Sequence, residues 1–553
     1  MASSSGPRKP TPEEENGYYF GFAGQPKLIA RTSCDPWIKP TRTENTWSGL
    51  EHIPVRKEYA TIGSKSDIAS KWSPELVELL VYQLSKCSWS FFFPIRIGLE
   101  GKRDRKQFPM ILLIAVENDT LCWEDGIHIA LECREALRMH SIDHVEVEIR
   151  EGRCHNLAAS TELEDLVDQD QGFEDGLNSE LLPLLSFPGY PVTYAEDRPG
   201  QGTIGLHIKL HDDESIYGLT CRHVVHRDRL AEESYKFSPE SEPEYHSQAN
   251  KDTFEECRYL IGQGIEKYES LKRIISEKVR LWEAWYSLDE DKSHLQPTEV
   301  DYERLVDYAA QIGYGKKFLS LLAGMENKNA RKIGQLMFHS SMELSTDQKG
   351  YVKDWALIKL DLAKFSERPR NDVFVRHGHV VKDKGDFHVL MGCIRKSTEA
   401  KNGFLSLEKS YVDLKSPLDV CKRGATTGIT FGMKNEVEAV VRRPGCSKGN
   451  LFAWQMVIIP FHGRFSAEGD SGSCIFDHTG RIVGLLTSSD NKGDWLPNER
   501  RRHPGENCSP GGATKDNASL SEIPDGMDIT FADPIQWVFE DIEKFTSRKV
   551  ELV

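Results

Sequence analysis

The segment Glu468-Gly469-Asp470-Ser471-Gly472-Ser473-Cys474 sets one hydroxyl between two glycines. Glycine takes backbone angles closed to other residues, so the amides of such a turn can converge on one point. A serine at that point is a candidate nucleophile for a carbonyl. The N–H groups of Gly469 and Ser471 are then candidate donors to the oxyanion that the attack creates. Serine attacks slowly near neutral pH unless a base removes its proton. Thr220-Cys221-Arg222-His223-Val224-Val225 offers an imidazole directly after a β-like run. The imidazole needs a carboxylate to fix its tautomer and stabilise the imidazolium, and Asp354 heads the apolar run DWALIKLD. Along the chain the order is His, Asp, Ser, unlike the Ser-Asp-His and Asp-His-Ser orders of two other hydrolase folds. Each residue alone is ordinary; the three in this order with these flanks are not.

Around the nucleophile, IIPFHGRFSAEGD (458–470) is expected to wall the primary pocket, with Phe465 six residues before Ser471. No Asp stands there to favour Arg or Lys, so an apolar or small substrate side chain suits it. Thr487-Ser488-Ser489 is the edge expected to pair with substrate backbone by strand addition, which makes Thr487 and Ser488 substrate-binding candidates. His462 is read as structural.

The elements that must hold these residues are short β-like runs: 203–210, 216–225, 333–340, 354–361, 387–394, 451–460 and 481–489. Such runs, broken by Gly and polar turns, predict an all-β barrel pair. Arg222, on a strand, should point away from His223. Two stretches depart from this texture. Residues 250–327 carry an apolar stripe from Phe254 to Tyr286 and a second with Leu305, Ala309, Ile312, Leu319 and Leu322, which predicts a helical hairpin. Residues 490–525 form an irregular Gly/Pro/Asn/Ser-rich loop, and ADPIQWVFEDIEKF (532–545) reads as an amphipathic helix. Upstream, residues 1–70 are rich in Pro, Ser, Thr and charge and are expected to be extended or disordered. Residues 71–153 alternate strand, helix and strand, a small α/β domain whose helix at 123–141 should bury Ile127, Ala130 and Leu131. Nothing in it looks catalytic. Residues 154–198 hold ten Asp or Glu and, before Arg198, no Lys or Arg; they read as an acidic linker.

Composition limits the partners. Net charge is −16 with no long basic stripe, which argues against nucleic acid or an anionic membrane surface. The longest apolar run, FPMILLIAV, is roughly half a membrane span. No apolar leader follows the first residues, so the expected location is cytoplasmic or nuclear, with the twelve Cys reduced. Cysteine spacing implies no structural metal, and no cofactor is expected.

Taken together, the three motifs resemble those of trypsin-like, chymotrypsin-fold serine peptidases over residues ~190–545. The arrangement is also similar to intracellular fungal members, including the signalling endoprotease of the yeast amino-acid sensor. The resemblance implies two six-stranded barrels with His223, Asp354 and Ser471 as a triad between them, hydrolysing peptide bonds through an acyl-enzyme. Departures are the long His–Asp separation, a cation at Arg222 beside the base, and no evident activation sequence at a new N-terminus. The expected fold is therefore α+β multidomain: an N-terminal small α/β domain, then a peptidase domain at 199–545 with a helical-hairpin insertion. The expected function is a serine endopeptidase acting on protein or peptide substrates. Two alternatives stand beside it. One is a catalytically silent module that binds a protein partner through the hairpin 250–327 or the domain 71–153. The other is a self-cleaving regulatory protein whose own acidic linker is the substrate.

Overall fold

A computed structural model describes residues 6–46, 49–101, 104–157, 187–195, 201–226, 233–248, 251–286, 296–344, 350–365, 367–375, 404–409, 416, 418–443, 451–490 and 526–553. The run 387–394 and the loop 491–525 lie outside them. The structure is mixed α/β with β-barrels.

One barrel is closed by hydrogen bonding alone. Leu418–Gly424, Gly428–Lys434, Leu451–Pro460, Thr530–Pro534, Ile482–Ser489 and Cys474–Asp477 each pair antiparallel with the next, and the last returns to the first. Closure leaves this sheet no free edge. Period-two alternation sorts its side chains. On Leu451–Pro460, Met456 and Ile458 join Val420, Ile475 and Leu486 in one buried cluster. Val457 and Ile459 join Phe91, Phe93 and Ile111 in another.

The other barrel runs through Tyr190–Tyr194, Tyr245–Ser247, Lys332–His339, Ala356–Leu360, Tyr217–Thr220 and Leu206–Leu210. Its ring is completed by the chain itself. Gln201–Ile204 pairs with Tyr190–Tyr194 and then bends at Gly205 into Leu206–Leu210. A Cβ on Gly205 would stand 2.1 Å from the carbonyl oxygen of Gly472, so this bend is pressed against the Ser471 turn. The strand at 190–194 falls within what the sequence marks as linker. Its residues Tyr190 and Val192 are buried, and that apolar content outweighs the acidic stretch around it.

In the N-terminal region, Met110–Val116 and Glu146–Glu151 are parallel strands joined by the helix Trp123–Met139. That helix buries Ile127, Ala130, Cys133 and Leu137, whereas Leu131 is 39% exposed, contrary to the face expected from sequence. Residues 1–70 are not extended throughout. Leu28–Arg31 pairs with Glu146–Glu151, and Lys57–Ala60 with Trp89–Leu99, burying Tyr19, Phe22, Leu28 and Tyr59. The apolar residues that anchor this segment are spaced among prolines and charges, which hides them from composition. Trp89–Leu99 also pairs with Ala439–Arg443, which pairs with Leu451–Pro460. One sheet therefore continues from the N-terminal region into the closed barrel.

The helices Lys251–Tyr286 and Glu299–Ala323 run antiparallel, as the ion pairs Arg258–Glu326, Lys316–Glu269 and Lys278–Asp301 require. They leave and rejoin the barrel between strands that pair at Ser247 and Lys332. Their common core holds Phe254, Ile261, Ile265, Tyr268 and Leu322; Ala309, expected there, is exposed. The C-terminal helix is Ile535–Thr546, because residues 532–534 belong to the strand Thr530–Pro534. Val550–Leu552 then adds to Leu206–Leu210. Among the described residues, no helix is long and apolar enough to cross a membrane.

Candidate active site

His223 and Asp354 are 131 positions apart, and one strand ladder brings them together. Tyr217–Thr220 and Ala356–Leu360 pair with Thr220 opposite Ala356. The residues just past Thr220 and just before Ala356 therefore meet at the same end of the ladder. His223 does not sit on a strand, as the sequence suggested, but on the short helical turn Arg222–Val225. Neighbours on such a turn are rotated by about 100° rather than 180°. Arg222 is nonetheless fully buried, and its charge helps to lower the pKa of His339.

The backbone N–H of His223 donates to Asp354 Oδ1 at 3.1 Å, and its Nδ1 is 2.6 Å from Asp354 Oδ2. A carboxylate can only accept, so Nδ1 carries the proton and Nε2 is left as an acceptor. Ser471 Oγ lies 2.8 Å from that Nε2. All three side chains are buried. The two barrels clamp the serine turn from both sides. Thr203 N–H donates to Ser471 O at 2.8 Å, Thr203 Oγ1 to Gly469 O at 2.9 Å, and Gly472 N–H to Leu486 O at 2.8 Å. Gly469 and Gly472 have φ of +97° and +91°, angles that side-chain-bearing residues avoid.

Asp470, beside the nucleophile, is held from all directions. Its carboxylate accepts the N–H groups of Ala467 (3.0 Å), Thr426 (2.9 Å) and Thr427 (3.2 Å), and the Thr427 hydroxyl at 2.6 Å. Lys422 Nζ completes the set at 3.1 Å, both side chains being fully buried. Burial pulls the Lys422 ammonium below its ordinary pKa, opposed by the charge of Asp470. Lys422 lies on a strand that the sequence reading missed; a Lys within the polar run DVCKRGATT gave no sign of its burial.

The chain's own residues 155–157 lie against this site. His155–Asn156 pairs antiparallel with Ile482–Ser489, Asn156 opposite Ser488 and His155 opposite Ser489. Gly469 N–H donates to Leu157 O at 2.6 Å, and Leu157 N–H donates to Ser471 Oγ at 3.1 Å. The Leu157 side chain is fully buried, in the cluster that includes Phe465, Met456, Ile475 and Leu486. Phe465 thus shares an apolar pocket with Leu157. Its own N–H donates to the buried Asp528 at 2.7 Å. Thr487 contributes its carbonyl, 3.0 Å from Ser471 Oγ and an alternative to His223 Nε2 as acceptor of the single hydroxyl proton, while its own hydroxyl accepts from Gln455. Ser488 and Ser489 form the paired edge. Sequence reading placed 154–157 in a linker, since the two-residue strand His155–Asn156 has no periodicity to announce it.

Cys221, His223 and Asp354 also bring metal-ligand atoms within 4.8 Å of one another. The Cys221 thiol instead donates to Leu486 O at 3.2 Å, and His223 Nδ1 is already committed to Asp354, so these atoms are matched as hydrogen-bond partners.

No family model and no curated protein matches the chain. Among solved structures, one described as a glutamic acid-specific serine protease that utilizes a histidine triad in substrate binding aligns at 9% identity. It covers 66% of this chain and 100% of its own, with a TM-score of 0.28. The chemistry below rests on the distances above and not on this likeness.

Proposed function

We propose that the chain is a serine endopeptidase with His223, Asp354 and Ser471 as its triad. The observation that carries this is the relay Asp354–His223–Ser471, at 2.6 and 2.8 Å, beside an amide of Gly469 that already holds a carbonyl oxygen. In the reaction, Ser471 Oγ attacks the substrate carbonyl carbon while its proton passes to His223 Nε2. The oxyanion takes the Gly469 N–H, with the Ser471 N–H as the second donor. The C–N bond breaks as His223 returns the proton to the leaving amine. Water then hydrolyses the ester by the same exchange. Asp354 stays ionised and stabilises the imidazolium. A fluorophosphonate probe tests this: it labels the wild type and not S471A. A folded protein that takes no label, either as the wild type or with Leu157 replaced so that the segment 155–157 leaves the cleft, favours the silent interaction module instead.

One observation favours self-cleavage as part of this activity. Leu157 presents its carbonyl oxygen to Gly469 and its side chain to an apolar pocket, so the bond joining Leu157 to Ala158 is the one set for attack. Its hydrolysis leaves a carboxylate on Leu157 and an amine on Ala158, and the segment 155–157 then occludes the cleft as a bound product. Intact mass of freshly purified protein reads this directly. The wild type yields pieces ending at Leu157 and beginning at Ala158, and S471A yields one chain. A break elsewhere, or one that persists in S471A, contradicts it.

The finer setting is also a proposal: an intracellular location in a reducing compartment, and kinship with the fungal sensor endoprotease. A partner for the helical hairpin belongs to the same proposal.

A further inference from the structure

Of residues 155–157, only Leu157 is fully buried, while His155 and Asn156 are half-buried. The strand therefore lends its backbone to the edge Ser488–Ser489, and recognition by a side chain falls on the pocket that takes Leu157. That pocket belongs to an apolar cluster with Val420, Met456, Phe465, Ile475 and Leu486. Two charged groups beside Phe465, Asp528 and Lys422, are already engaged. Both oxygens of Asp528 accept hydrogen bonds, from Phe465 N–H (2.7 Å), Ser466 N–H (3.2 Å), Ser466 Oγ (3.0 Å) and Thr530 Oγ1 (2.9 Å). Burial raises the Asp528 carboxyl to about 6. Lys422 stands 5.9 Å from the Phe465 ring, with its ammonium committed to Asp470. A basic substrate side chain would find Asp528 already engaged, and an acidic one Lys422 already paired. Either would have to shed its hydration without compensation.

We propose that the substrates are extended peptides with leucine on the acyl side of the scissile bond. This rests on the serine-peptidase reading and names its substrate class. Leucine fills the pocket; methionine, flexible and of similar volume, fits next. Alanine leaves a void, and charged residues are refused.

The test uses the purified full chain as wild type and as L157D, whose carboxylate cannot seat in the pocket and so frees the cleft. Both are first labelled with the fluorophosphonate. Unlabelled samples are then given a peptide mixture, His-Asn-X-Ala-Ala-Ser with X varied over all residues, and the products are sequenced by mass spectrometry. The expected result is cleavage after leucine, faster in L157D than in the wild type. Leucine should exceed alanine by about tenfold or more, and Lys, Arg, Asp and Glu by more than about a hundredfold. A protein that takes the label but prefers a charged residue, treats all residues alike or cuts none overturns the pocket assignment and leaves the peptidase reading standing. If neither form is labelled, the peptidase reading falls and the leucine proposal with it.

Discussion

At the scale of single residues, the serine turn is held by the buried ion pair Lys422–Asp470. Removing the Lys422 ammonium leaves Asp470 as a buried carboxylate without its cation, a change that costs about 3–5 kcal/mol in comparable pairs. K422M is therefore expected to unfold at markedly lower denaturant and to lose fluorophosphonate labelling. The double variant K422M/D470N should regain part of the stability and not the labelling, because asparagine keeps only one of the two acceptor oxygens that hold Thr426 and Thr427 on one side and Ala467 on the other. Equal unfolding midpoints for K422M and wild type would remove the ion pair from the account. The three residues proposed as the triad drew notice in sequence because each has a local signature: a Gly-flanked hydroxyl, an imidazole after an apolar run, and an acid just before a strand. Lys422 and Leu157 did not, since their roles come from long-range placement and their neighbours in sequence carry no signature.

At the scale of elements, the barrel built from Tyr190–Tyr194 to Leu206–Leu210 encloses histidines as neutral groups. His207 Nδ1 faces Arg370 O at 3.1 Å and so carries the proton, while Nε2 accepts from the Tyr190 hydroxyl at 3.1 Å. Burial lowers the pKa of His207 to about 4, and that of His246, on the neighbouring part of the sheet, to about 4 as well. Both values lie below the ordinary 6.5 that each would have in the unfolded chain. The unfolded state therefore takes up protons first as pH falls. The stabilisation is complete above pH about 6.5 and is lost as pH drops toward 4, by roughly 2–3 kcal/mol per histidine at pH 4.5. Denaturant midpoints at pH 7 and 4.5 should show this fall in the wild type and a shallower slope in H207N, whatever the variant's absolute stability. Identical slopes would contradict the assignment. The strands that follow Ser471 and Asp354, Ile482–Ser489 and Ala356–Leu360, were readable from continuous apolar runs. Leu418–Gly424 and Gly428–Lys434 were not, because Lys422, Arg423 and Lys434 interrupt the pattern and their burial is decided by distant partners.

At the scale of the whole molecule, the N-terminal region is joined to the closed barrel as one sheet rather than tethered to it. Phe91 meets Phe531 at 5.1 Å, and Arg150 pairs with Asp490 at 2.5 Å with both side chains buried. If the chain is cut after Leu157, the two pieces should co-elute in size-exclusion chromatography and separate only in denaturant. Separation in native buffer would count against the shared sheet. This continuity was hidden from sequence, where the rise in acidity after Cys154 reads as a boundary. Pairing between Trp89–Leu99 and Ala439–Arg443 spans too many residues to be inferred from pattern. The same long-range assembly creates the site, since His223 and Asp354 come from one barrel and Ser471 from the other. The most direct test is therefore the rate at which a fluorophosphonate modifies Ser471, located by peptide mass mapping, in wild type and in D354N. The account predicts modification at Ser471 in the wild type and a rate at least about a hundredfold lower in D354N, where the imidazole loses its orienting acceptor. Equal rates in the two proteins, or modification at another residue, would contradict it.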